Sequence, residues 1–225
     1  MRLPDPPLLL VTDRAQTRYP LLDVVAASCA AGCRWISLRE KNLPAANQIE
    51  LARALRQVTG RHAARLTLHG SPATAHNAGA DGVHLAAGGD VVAARKLLGA
   101  DALIGLSVHA AGEVADLNAG IVDYVIAGPV YPTASKPGYG PVLGANELAQ
   151  IVRATPVPVI AIGGVTPENI MPLVMVGAAG IAVMGSVMRA ENPGQAVTAL
   201  LAALAAARAS ASPIGGDALV RHPHA

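Results

Sequence analysis

A single (β/α)8 barrel is the fold the sequence predicts, on three observations. Eight short apolar runs alternate with helical segments along 225 residues. The chain is 52% hydrophobic and only 14% charged, which suits a parallel sheet covered on both faces, whose strands read as continuous apolar runs. The first strand ends in VTDR without a glycine-rich turn, which argues against a doubly wound open sheet. The glycines cluster late instead, in IAIGGVTPEN and AVMGSVM.

The elements follow in order. LLLVT (8–12) has prolines before it and Asp13 and Arg14 after it, with no small-residue cleavage pattern, so it reads as a first strand rather than a leader. Helix 21–31 leads to RWISL (34–38), and helix 45–58 to RLTLH (65–69), which stops at His69 and Gly70. Helix 71–78 precedes GVHL (82–85), helix 90–98 precedes ALIGL (102–106), and helix 111–119 precedes VDYVIA (122–127). A long loop rich in Pro and Gly then runs to helix 145–153 and VPVIAI (157–162). Helix 167–176, GIAVM (180–184) and helix 193–208 complete the set. Each unit has the length a parallel crossover needs, and eight of them in about 200 residues imply a barrel. One domain, residues 1–208, is expected, with 209–225 as a disordered tail whose His222 and His224 stay outside the chemistry.

Composition excludes several function classes. Seventeen basic against fifteen acidic residues leave a net charge of +2, too small and dispersed for a nucleic-acid footprint. No uninterrupted apolar run reaches the roughly 18 residues that span a bilayer, so no membrane partner is expected. Cys29 and Cys33, four apart on a helical face and without further Cys or His partners, read as buried free thiols of a cytoplasmic protein rather than a metal site. Barrels of this size often pair through their helices, so a homodimer is the expected assembly.

Active sites of this fold lie at the C-terminal ends of the strands. After the second strand, SLREK puts Ser37, Arg39 and Lys41 on one side of the chain and Leu38 and Glu40 on the other. Two cations there suggest an anion. In the long loop after the sixth strand, AGPVYPTASKPGYG carries Thr133, Ser135 and Lys136, and Lys136 is placed to close over a phosphate or pyrophosphate as a leaving group departs. GLSVH offers Ser107 and His109, whereas His84, inside a strand, reads as a hydrogen-bonded core residue. Gly163, Gly164, Gly185 and Ser186 sit in the loops that bind phosphate through backbone N–H groups in many barrels; tight turns are their structural alternative.

Six of these segments in register, LREK, GADGVHL, GLSVH, GPVYPTASK, PVPVIAIGGVTPENI and GAAGIAVMGSV, resemble the thiamin phosphate synthase and TenI group of thiamin biosynthesis over about residues 8 to 190. The resemblance implies a (β/α)8 barrel that binds thiazole phosphate at its last two glycine loops. Two activities occur in the group. Synthases join a pyrimidine pyrophosphate to thiazole phosphate with magnesium, and TenI-type tautomerases aromatise a thiazole carboxylate phosphate by proton transfer.

The chain departs from the synthase pattern, which has Gln at Ser37, Asn-Asp at His69-Gly70, and Gly-Gln-x-Asp where this chain reads AAGGD. Losing the Asp at Gly70 removes a ligand that a hard magnesium ion prefers, and Asp90 is better placed to cap a helix. The expectation is therefore a TenI-like enzyme with no metal or other cofactor. His69, or else His109, would be the base, because Pro129 replaces the tautomerase histidine. The alternatives are a synthase, which would use magnesium, and a non-catalytic protein that binds thiazole phosphate.

Overall fold

The protein is described from a computed structural model, over residues 3–135 and 141–211. Eight parallel strands close into a barrel in sequence order: β1 (Leu8–Val11), β2 (Trp35–Leu38), β3 (Arg65–His69), β4 (Gly82–Leu85), β5 (Leu103–Val108), β6 (Tyr124–Ala127), β7 (Val159–Ile162) and β8 (Gly180–Val183). Around them run α1 (Leu21–Ala30), α2 (Ala45–Gly60), α3 (Pro72–Ala78), α4 (Val91–Leu98), α5 (Gly144–Ala154), α6 (Ile170–Met175), α7 (Gly185–Met188) and α8 (Pro193–Ala211).

The strands carry two cores because successive side chains point to opposite faces. Leu8, Leu10, Ile36, Leu38, Leu66 and Leu68 face the helices, whereas Leu9, Trp35, Leu103, Tyr124, Ile160 and Ala182 fill the barrel. Trp35 and Tyr124 meet edge to face, with ring centroids 4.6 Å apart at 80°. Their bulk fits because Tyr124 is in register with Gly105, where any Cβ would collide with the phenol ring. This plug fills the interior, so ligand space opens only at the strand ends above it.

The edge of the barrel at the strand starts is tied by carboxylates. Asp81 accepts from the Leu66 N–H at 2.7 Å, and Asp123 accepts from the Ile104 N–H at 2.7 Å while pairing with Arg95 at 2.6 Å. Asp90 caps α4 by accepting from the Ala93 N–H at 2.8 Å, as its sequence position suggests. Cys29 and Cys33 are free and buried, and burial pushes their thiols up to about 12 and about 11, so they stay protonated and inert.

Two expectations change. Residues 111–119 form only a 3-10 turn, Ala111–Glu113, rather than a helix. Gly112, with Asp116 and Asn118 competing for backbone bonds, leaves too few helix formers, and Asn118 accepts from the Gly120 N–H at 2.7 Å. The last helix runs three residues further than expected, to Ala211; residues 212–225, the rest of the segment expected as a tail, lie outside the described residues. At 19 residues α8 is also the one described helix with the length and hydropathy to cross a membrane, but Val197, Leu200, Leu204 and Ala207 are buried, and it packs on α1 and α6.

Candidate active site

A cavity of about 520 Å³ opens at the C-terminal ends of the strands. Its β2 wall is set by a buried carboxylate. Glu40, only 3% exposed, accepts from the Thr12 hydroxyl at 2.8 Å and from the Arg14 N–H at 3.1 Å, while Thr12 Oγ1 accepts from the Arg39 N–H at 3.0 Å. This staple joins the β1 and β2 loops. With Glu40 turned into the protein, its neighbours Arg39 and Lys41 line the cavity. Burial, and then the charge of Arg39, lowers the Lys41 pKa, the expected result of placing two cations side by side.

Glu40→Ala strands the Thr12 hydroxyl and the Arg14 N–H, and it is expected to lower unfolding free energy by about 2–4 kcal/mol. Glu40→Gln retains one acceptor oxygen and separates charge from geometry. Burial raises the Glu40 pKa despite help from Thr12 and Arg14, so the folded state holds the proton more tightly than the unfolded state. Stability of the wild type relative to Glu40→Gln should therefore fall as pH rises from the ordinary value of 4.5 through the raised one. Denaturation midpoints measured across that interval check the sign; a difference growing in the opposite direction would refute it.

Three imidazoles, His69 from β3, His84 from β4 and His109 after β5, line the cavity next to this wall. His84 is buried, with Nε2 2.9 Å from Ser107 Oγ. Its ring lies 4.9 Å from His69 and stacks on Tyr124 at 5.5 Å. Burial, followed by the charges of His69 and Lys41, holds the His84 pKa well below the ordinary imidazole range, so this ring is neutral at neutral pH. Because β5 extends to Val108, His109 stands directly at its end. His109 Nδ1 lies 2.8 Å from the Gly128 carbonyl, which only accepts; Nδ1 therefore carries the proton.

The opposite sector is built from backbone. Gly163 and Gly164 adopt φ of +100° and +65°, and a Cβ on Gly163 would lie 2.6 Å from that of Pro129. The β6 loop is laid directly on this turn, with the Val130 N–H bonded to Ile162 O at 2.8 Å and the Tyr131 N–H to Gly163 O at 3.0 Å. Gly185 and Ser186 open α7, where the first N–H groups have no intrahelical acceptor. Thr133 and Ser135 reach the cavity from the β6 loop.

Arg189 is a site residue that the sequence did not point to. It donates to Ser135 Oγ at 3.1 Å and to Gln16 Oε1, bridging the β8, β6 and β1 loops beside Gly185. Its position four residues after Gly185, one helical turn, is the signal that would have found it. Of the other expected residues, Ser37 is buried at 1% exposure, off the cavity wall, and its hydroxyl has no partner among the described residues. Lys136 lies outside the described residues.

The donor set does not fit a protein-held magnesium ion. Among the described residues no Asp or Glu lines the cavity, Gly70 bears no side-chain ligand, Asp90 is engaged as a cap, and there is no cluster of three metal-binding side chains. The chemistry this site offers is anion binding by cations and backbone, with the neutral His84 ring beside them.

Residues 8–187 match the family described as thiamine monophosphate synthase. A protein of Geobacter sulfurreducens, provisionally named a thiamine-phosphate synthase, is 44% identical over 199 residues, covering 88% of this chain and 93% of that protein. The thiamine biosynthesis bifunctional protein ThiM/ThiE of Symbiobacterium thermophilum is 42% identical over 180 residues, 80% of this chain but only 38% of the longer protein. Among solved structures, thiamine phosphate pyrophosphorylase from Pyrococcus furiosus superposes with a TM-score of 0.78 at 30% identity, covering 89% of this chain and 96% of the other. With the barrel, the glycine turns after β7 and β8 and matches across nearly its whole folded length, the chain belongs to the thiamine monophosphate synthase and TenI family of enzymes, which act on small phosphorylated molecules.

Proposed function

We propose that the protein joins a pyrimidine pyrophosphate to a thiazole phosphate, releasing pyrophosphate and forming thiamin phosphate. The observation that carries this reading is one cavity with two anion-binding sectors, Arg39 and Lys41 after β2 and the glycine loops after β7 and β8. Two phosphorylated molecules need such a pair of sectors, and the synthase names of the relatives support the same reading. It replaces the tautomerase expectation as the main one.

In the reaction the bond between the pyrimidine methylene carbon and the pyrophosphate oxygen breaks, and the oxygen keeps the electron pair. The thiazole nitrogen supplies the pair for the new C–N bond. Negative charge thus grows on the leaving group, where Arg39, Lys41 and the Ser107 hydroxyl would receive it. The glycine loops and Arg189 would hold the thiazole phosphate. No step requires a general base.

Proton transfer on a thiazole carboxylate phosphate is the second reading. His69, His84 and His109 on one cavity wall that lacks carboxylates favour it. The two are separated by supplying purified protein with thiazole phosphate and pyrimidine pyrophosphate, or with the thiazole carboxylate tautomer alone, each with magnesium and with chelator. Thiamin phosphate formation is the expected result. Aromatisation without any thiamin phosphate would overturn the condensation in favour of the tautomerase.

A further inference from the structure

We infer that His84 is a positioning residue that fixes the Ser107 hydroxyl as a hydrogen-bond donor into the cavity. His84 Nε2 is 2.9 Å from Ser107 Oγ, and Nδ1, also buried, has no partner among the described residues. A neutral imidazole carries one proton, on one nitrogen or the other.

With the proton on Nδ1, the site would bury an N–H without an acceptor, and Ser107 would spend its own proton on Nε2. With the proton on Nε2, that N–H donates to Ser107 Oγ, and only a bare lone pair is left unpartnered at Nδ1. Orphaned buried N–H groups are rarer in proteins than under-satisfied acceptors, so the second tautomer is favoured. Burial keeps the ring neutral, and its packing on Tyr124 and His69 keeps it in place.

The consequence falls on Ser107, which lines the cavity from β5. Once its oxygen accepts from His84, the hydroxyl proton is the group left to turn toward a ligand. The serine then discriminates by polarity: it donates to an oxyanion. In the proposed condensation, on which the choice of ligand rests, that oxyanion is the departing pyrophosphate. His84, read from sequence as a core residue, is both buried core and an orienting group for the site.

The test begins with the unliganded wild-type protein. Two-bond proton–nitrogen correlation spectra of the histidine rings should show His84 as the Nε2–H tautomer; an Nδ1–H tautomer overturns the inference. Binding of inorganic pyrophosphate is then measured for Ser107→Ala, His84→Phe and the double variant. Each single change should weaken binding by about tenfold and the double change by little more, because both remove the same oriented donor. Effects that multiply to about a hundredfold would make His84 a packing residue and overturn the inference. His84→Gln, whose amide N–H reaches toward the same place, should recover most of the loss. If the protein forms no thiamin phosphate yet shows the Nε2–H resonance and this non-additivity, the condensation fails and the role of His84 stands.

Discussion

Arg39→Ala is expected to lower kcat/KM for thiamin phosphate formation by about 10²–10³-fold, because it removes one of two adjacent cations where the proposed condensation develops leaving-group charge. The fall should be mainly in kcat, since the charge that Arg39 meets increases from substrate to transition state. Arg39→Lys, which keeps charge but loses the bidentate fork, should recover only part of it. The same variant has a signature in pH. Lys41 binds an anion only while protonated, so anion affinity is present below its pKa and is lost as pH rises through it. Burial first and Arg39 second lower that pKa from 10.5, so the loss begins below the pH where an ordinary lysine would titrate. Removing Arg39 abolishes the second cause alone and should shift the loss to higher pH. Pyrophosphate affinity measured against pH by calorimetry reads the shift. An unmoved midpoint would mean that the two cations do not share one anion.

How much of this was legible in the sequence depends on the range of the interaction involved. The barrel could be read because each strand is a short run of residues buried on both sides, a property written locally in LLLV, WISL, YVIA and GIAV. The cations of LREK and the glycines of AIGG and AVMGS were legible for the same reason: a strand end fixes where its next residues point. The failures are long-range or concern competition. Glu40 could be assigned a side of the chain, but its staple runs across 28 residues to Thr12, and no local pattern announces it. Arg189 meets Gln16 across 173 residues, through loops that only the closed barrel brings together. In residues 111–119 an apolar spacing was outweighed by glycine and by side chains that compete for the backbone. The choice between two reactions rested on one residue class. A missing carboxylate at Gly70 speaks to a metal ligand, whereas the departing charge can also be met by Arg39, Lys41 and Ser107, which were present in the sequence throughout.

Gly163→Ala should damage fold and site together, lowering unfolding free energy by about 2–5 kcal/mol and the melting temperature by roughly 5–15 °C. Two costs add. At φ +100° an alanine is strained, and its Cβ would stand 2.6 Å from Pro129 Cβ and 2.7 Å from Pro129 Cα, where real Cβ atoms do not go. Since Pro129 is backbone-tethered, with Val130 and Tyr131 bonded to Ile162 and Gly163, relief requires the β6 loop to lift as a unit. Lifting it withdraws Thr133 and Ser135 from the cavity and breaks the bridge from Ser135 to Arg189, so the sector proposed for thiazole phosphate opens to water. Thiazole phosphate KM should consequently rise by about 10–100-fold, with a smaller change in the KM for pyrimidine pyrophosphate, whose cations stand on the β2 loop. Were the glycine needed only for a tight turn, stability would drop while both KM values stayed put. The ratio of the two KM changes therefore separates a turn-forming residue from one that also seats a loop over the phosphate.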